Sequence, residues 1–150
     1  MEDNFSIINK TRGKLPSLPL LEIKNDILGK EYSLSLAFVG EHESKTLNNK
    51  YRGKDNSTNI LSFLLHENAG EIVMCPAVAK REAKNFDKTF QEFLGFLVIH
   101  GMLHLKGLEH SSTMEKAEEK YDKKYFSRDR YRVLHNASRS GRIFQRRKKS

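Results

Sequence analysis

A chain of 150 residues with 37% hydrophobic content suits one domain able to bury about 70% of its unfolded surface, so it needs no disulfide scaffold, and its single cysteine, Cys75, cannot form an internal one. No apolar run approaches the ~20 residues of a membrane span, and the opening MEDNFSIINK is acidic with no long apolar core; the reading is a soluble cytoplasmic protein with no signal peptide and no membrane partner. The net charge of +8 lies in residues 127–150, where nine Lys and Arg face one acid, Asp129, while residues 1–126 are neutral overall. This divides the chain into a domain, 1–126, and a flexible basic C-terminal tail, 127–150, that either solubilises or attracts phosphate backbones without sequence specificity.

In chain order, Phe5, Ile7 and Ile8 suggest a short first strand. Leu20, Leu21, Ile23, Ile27 and Leu28 form a helical stripe that stops at Gly29. YSLSLAFVG alternates Tyr32, Leu34, Leu36 and Phe38 with small or polar residues, the pattern of a strand with one buried face. EHESKTLNNKYRGK reads as a short helix running into a loop at Gly53. NILSFLL (59–65) is a strand, HENAGE a turn, and EIVMC (71–75) a strand returning antiparallel. Pro76 opens a helix through AVAKREAKNF. Thr89 or Asp87 caps a longer helix, TFQEFLGFLVIHGMLHLKG, which Phe93, Leu94, Phe96, Leu97, Ile99 and Leu103 make apolar nearly all round, so it should be the central buried helix. Ser111 to Phe126 is a charged final helix, with Ser111 and Thr113 as caps and Met114 as packing. The expected fold class is α+β: a small mixed β-sheet with helices packed on it.

Three of the six histidines fall within HGMLHLKGLEH, at 100, 104 and 110. A four-residue spacing on a helix places His100 and His104 on one face, one turn apart. Gly107 sits where the helix should end, and a turn there brings His110 back toward the same point. Three imidazoles with a fourth position open are the donor set of a catalytic zinc; a closed structural site would need a fourth ligand, for which Cys75 is the one thiol. Imidazoles on an apolar helix without a ligand or donor would carry a desolvation cost of several kcal/mol, on the order of that for unpaired polar burial. The spacing also fits the protease pattern H-E-x-x-H-x-x-G-x-x-H, but the residue after the first histidine, where that pattern has its glutamate base, is Gly101. The peptide-cleaving base is absent, and other hydrolytic chemistry is expected. His42, His66 and His135 read as surface histidines.

HGMLHLKGLEH resembles the H-G-x-L-H-L-x-G-Y-D-H signature of the YbeY family of bacterial rRNA maturation factors. LNNKYRGKDNSTNILSF (47–63) is similar to that family's L-N-x-x-Y-R-x-K-D-x-P-T-D-V-L-S-F, and GEIVMCPAVAKREA (70–83) to its G-D-I-V-I-C-P-x-x-A segment. The three motifs stand in the same order and cover roughly residues 30–126. The resemblance implies a metal-dependent, single-strand-specific endoribonuclease working in 16S rRNA 3′-end maturation and ribosome quality control. It implies His100, His104 and His110 as the metal ligands and Arg52 as the functional arginine. Two departures stand out: Leu108-Glu109 replaces Tyr-Asp, and Ser57-Thr58-Asn59 replaces Pro-Thr-Asp.

Chemistry consistent with these residues is short to state. A zinc ion, or another transition ion, held by three neutral imidazoles lowers the pKa of a water to around 7, which makes a carboxylate base dispensable. Arg52 offers a planar fork of donors to the scissile phosphate, Lys54 assists at a neighbouring phosphate, and Glu109 is a candidate partner for a ligand imidazole. The expected partner is RNA, in particular 16S rRNA or the small ribosomal subunit. The rival reading is a non-catalytic RNA-binding ribosome-assembly factor with a structural zinc.

Overall fold

The computed structural model describes residues 4–109 and 111–126. His110 and the basic segment 127–150 therefore lie outside the described residues. Four strands, β1 (Phe5–Asn9), β2 (Ser33–Phe38), β3 (Ile60–His66) and β4 (Ala69–Met74), form one mixed sheet in the order β1-β2-β4-β3. The first two pairings are parallel, and β3 returns antiparallel along β4 at the edge. With five helices beside it, the architecture is α+β, as the alternation of periods implied.

The pleat divides the sheet's residues between two faces. Leu34, Leu36, Phe38, Ile72 and Met74 join the main core with α1 (Leu20–Ile27), α3 (Pro76–Ala83) and α4 (Phe90–Lys106). The opposite face holds a smaller cluster of Val39, Leu61 and Val73, covered by Leu47 of α2 (Glu41–Arg52) and by Phe63. α4 is the central helix: Phe93, Leu94, Leu97, Val98, Ile99 and Met102 are all fully buried. Its start is fixed by a capping box, in which Thr89 Oγ1 accepts from the Glu92 amide at 3.1 Å and Glu92 Oε1 accepts from the Thr89 amide at 3.0 Å. Gly107 ends it with a left-handed backbone, φ 109°. Among the described residues no helix is long and apolar enough to cross a membrane.

Two boundaries differ from the sequence reading. The hairpin turn is tighter than HENAGE, because β3 continues to His66 and β4 already begins at Ala69, with a bulge between Leu64 and His66. The helix opened by Pro76 ends at Ala83 and tightens to a 3-10 turn over Lys84–Phe86, closed by Asp87 at φ 56°.

The last helix, α5 (Ser112–Tyr125), is capped by Ser111, whose Oγ accepts from the Met114 amide at 3.2 Å. Met114, Glu118 and Asp122 are its buried residues, one face at four-residue spacing. Its far end is strapped to α1 at Asp26, whose Oδ2 accepts from Lys124 Nζ and from the Tyr125 hydroxyl, each at 2.6 Å. Those bonds, the lysine's first, hold the Asp26 carboxyl below the usual carboxylate range. A lowered folded-state value means stability that is present above the unfolded value near 3.9 and is lost as pH falls through the folded one. The strap is largely solvent-exposed, so water and salt screen it and its contribution is small. Asp26→Asn is expected to lower the denaturant midpoint at neutral pH, with the gap to wild type closing as the pH is taken below about 4.

Candidate metal centre

The two helical histidines meet as their spacing requires. His100 is buried and His104 half-buried on the last two turns of α4, and their Nε2 atoms face each other at 3.1 Å with ring planes 87° apart. Two nitrogens bound to one tetrahedral ion at 2.0–2.1 Å would stand about 3.3 Å apart, so the pair is set close to a shared-ion geometry.

His100 Nδ1 lies 2.5 Å from Glu118 Oε2, and the two side chains are 9% and 1% exposed. With Nδ1–H donating a hydrogen bond to that carboxylate, Nε2 carries the ring's lone pair on the side facing His104, and the ring is locked in orientation. Glu118 was not singled out in the sequence, where it is one acid among the charges of KAEEKYDKK. The signal that finds it is its four-residue spacing from Met114 on the face that α5 turns to α4. Glu109 is exposed, beyond the Gly107 turn. One turn past Glu118, Asp122 repeats the pattern: Lys88 Nζ sits 3.4 Å from its Oδ2, both side chains buried, and burial pushes its carboxyl up against the lysine's opposing pull. Among the described residues no third His, Cys, Asp or Glu completes a group with His100 and His104; the third expected ligand, His110, lies outside them. Cys75 is buried at the start of α3, and burial raises its thiol above the ordinary range.

Gly101 explains why no glutamate follows His100. A Cβ built there would stand 2.8 Å from Ile60 Cδ1, 3.1 Å from Ser62 Oγ and 3.2 Å from Ile72 Cδ1. Here α4 rests directly on β3 and β4, and any side chain would have to push the ends of Ile60, Ser62 and Ile72 aside. The same contact brings the start of β3 against the turn of α4 that bears the histidines.

Into that start of β3 runs the loop from α2. Arg52 is the last residue of α2, Gly53 caps it at φ 70°, and Arg52 and Lys54 are both exposed. Among the described residues neither side chain has a hydrogen bond or ion pair, and the nearby Asp55 faces Lys45 at 3.9 Å. The loop is held from below. Buried Asn48 donates to the Asn56 carbonyl at 2.9 Å, and Ser44 Oγ bonds both the Thr58 carbonyl and amide at 2.9 Å. Asn59 donates its amide to Glu82 Oε1 at 2.7 Å, and its carbonyl accepts from the Cys75 amide at 2.9 Å. An aspartate at 59, as in the motif this stretch resembles, would set two carboxylates together there. Ser44 and Asn48 escaped notice because polar residues on a helix read as a solvated face.

The family model described as Endoribonuclease YbeY matches residues 15–128. The chain belongs to the YbeY family. A protein of Thermotoga neapolitana named Endoribonuclease YbeY is 34% identical, over 81% of this chain and 84% of that one. The protein of that name from Cupriavidus metallidurans is 40% identical over 71% of this chain, and the chain spans 57% of that relative's length. The solution structure of TM1509 from Thermotoga maritima matches with a TM-score of 0.58 at 34% identity, covering 79% of this chain and 87% of that one. The α+β fold of this YbeY-family chain is thus shared with a solved structure.

The close approach at Gly101 makes a direct prediction. Gly101→Ala needs Ile60 and Ile72 to give way and is expected to cost about 1–3 kcal/mol, the usual range for overpacking. Gly101→Glu, which would restore the protease pattern, is expected to leave little folded protein. Thermal unfolding of the two variants beside wild type checks both.

Proposed function

We propose that this chain is a metal-dependent endoribonuclease that cuts single-stranded RNA, acting in 16S rRNA 3′-end maturation and ribosome quality control in the cytoplasm. The observation that carries the reading is the pair of Nε2 atoms of His100 and His104, 3.1 Å apart and backed by Glu118, on the helix turn against which the loop bearing Arg52 and Lys54 delivers β3. The names carried by the relatives support RNA as the substrate. The donor chemistry suits zinc or another transition ion, with His104 and His100 as two ligands and His110 proposed as the third. Glu109, next to His110 in the chain, is proposed to back that imidazole.

When bound, the ion supplies Lewis acidity and a water of lowered pKa near neutrality. The chain's own residues do the rest. Glu118 holds the His100 ring in one orientation by accepting a hydrogen bond from its Nδ1–H. Arg52 places its fork on the non-bridging oxygens of the scissile phosphate, where charge accumulates as the nucleophilic oxygen adds and the ribose oxygen departs. Lys54 draws a neighbouring phosphate to the same loop, and the bonds from Ser44 and Asn48 fix that loop before substrate arrives. The exposure of both cations suits a polymer lying across the surface more than a small molecule in a pocket.

Zinc-loaded wild type is expected to cleave a labelled single-stranded RNA, and equally loaded Arg52→Ala to do so at least about 100-fold more slowly while keeping its metal and its melting temperature. If neither protein cuts while both hold zinc and bind RNA, the non-catalytic assembly-factor reading replaces this one. Separately, Glu118→Gln keeps the shape of the contact but removes the carboxylate, and is expected to weaken zinc binding about 10–100-fold in competition with a chromophoric chelator. Unchanged affinity would remove Glu118 from the metal site.

A further inference from the structure

Tyr51 immediately precedes Arg52 at the end of α2, and the residue is 55% exposed, one of the large hydrophobic residues left at the surface. Its orientation is built. The ring meets Phe63 of β3 edge-on, with centroids 4.9 Å apart at 63°. Phe63 is itself anchored in the small cluster with Leu61 and Val73. Lys50 Nζ stands 5.1 Å from the Tyr51 ring centroid. An exposed, braced aromatic ring therefore sits within a run of three cations, Lys50, Arg52 and Lys54.

We propose that Tyr51 is a stacking platform for a nucleobase of the single-stranded RNA, adjacent to the phosphate that Arg52 engages. The inference rests on the functional reading above and adds a residue that selects unpaired RNA. Every base has a π-face, so a ring beside phosphate-binding cations holds single strands with little sequence preference, while a duplex keeps its bases stacked inside and cannot use it. The alternation of β3 makes the arrangement possible: Ile60 and Ser62 face α4 and its histidines, while Phe63 faces Tyr51 on the other side of the same edge strand. A protein partner docking on this ring would not call for three cations around it. A neutral structural lid would not leave the residue more than half exposed.

The test uses the full chain and a short 2′-O-methyl oligoadenylate, which keeps bases and phosphates and blocks 2′-OH attack, with the strand checked for intactness after each titration. Tyr51→Ala is expected to bind it roughly tenfold more weakly with an unchanged salt slope, and Tyr51→Phe to bind as wild type does. Arg52→Ala is expected instead to reduce the salt slope by about one, as loss of a phosphate contact does. The chain contains no tryptophan, so Tyr51→Trp provides a single indole reporter. Its emission is expected to be quenched by the oligoadenylate and not by inorganic polyphosphate, a readout that does not depend on whether Tyr51→Ala folds. Equal affinity of a folded Tyr51→Ala, no quenching by bound oligoadenylate, or equal quenching by polyphosphate would each overturn the stacking role while leaving the nuclease reading in place. If wild type binds no oligoadenylate at all, it is the nuclease reading that fails, and the platform with it.

Discussion

The structure turns on one buried hydrogen bond, His100 Nδ1 to Glu118. A helix as apolar as α4 gains most by being enclosed on all sides, yet it carries an imidazole into that enclosure, and an unpaired polar group there costs several kcal/mol, on the order of any unsatisfied burial. The cost is met by a carboxylate from α5, itself 1% exposed, so each group is tolerable only in the presence of the other. That mutual dependence sets where α5 lies. Its buried face is Met114, Glu118 and Asp122, one apolar residue and two acids, and the second acid finds Lys88 just before α4. The final helix is thus docked by Met114, Ala117, Tyr121, Tyr125 and Phe126 packed on the core together with two buried acids, whose specific partners help to fix its register along α4.

The strands and helices were legible because their periods are clear. Alternation in YSLSLAF, the Pro76 start, the Thr89 cap and the Gly107 stop all appear where local chemistry places them. The His100–His104 face was legible for the same reason, since i, i+4 spacing on a helix leaves little freedom. Glu118 was hidden because its role depends on which face of a highly charged helix is turned inward, a tertiary fact. The supports of the Arg52 loop, Ser44 and Asn48, were hidden likewise: their bonds reach across 14 and 8 residues to backbone groups that no local pattern marks. The turn between β3 and β4 was drawn too long because Glu67 and Asn68 alone separate strands that otherwise pair through to their ends.

Gly101 shows how one small residue serves two requirements. The helix touches the sheet closely where the start of β3 comes up against the histidine turn, and a side chain at 101 would displace the ends of Ile60, Ser62 and Ile72. The same choice removes the carboxylate that a peptide-cleaving site of this spacing would use. Packing and chemistry therefore meet at this position: the glycine that lets α4 lie close to the sheet is also the residue that carries no base. Asn59 shows a second coupling, since its amide is matched to Glu82 where a second acid would be opposed.

Placing this chemistry at an edge strand has a consequence for substrate. Among the described residues β3 has a neighbouring strand on one side only, and the nearby Tyr51, Arg52 and Lys54 are exposed. A central strand would have buried the centre within a layered interior, suited to a small molecule. On the proposed reading, an edge would let an RNA strand pass across β3, its phosphates toward the loop cations and its backbone toward the histidine turn. Because successive residues of β3 point to opposite faces, one short strand braces the aromatic ring on one side and the histidine-bearing helix on the other. The geometry suits a long flexible polymer with unstacked bases, and rigidity in β3 is what would keep its two points of contact in register.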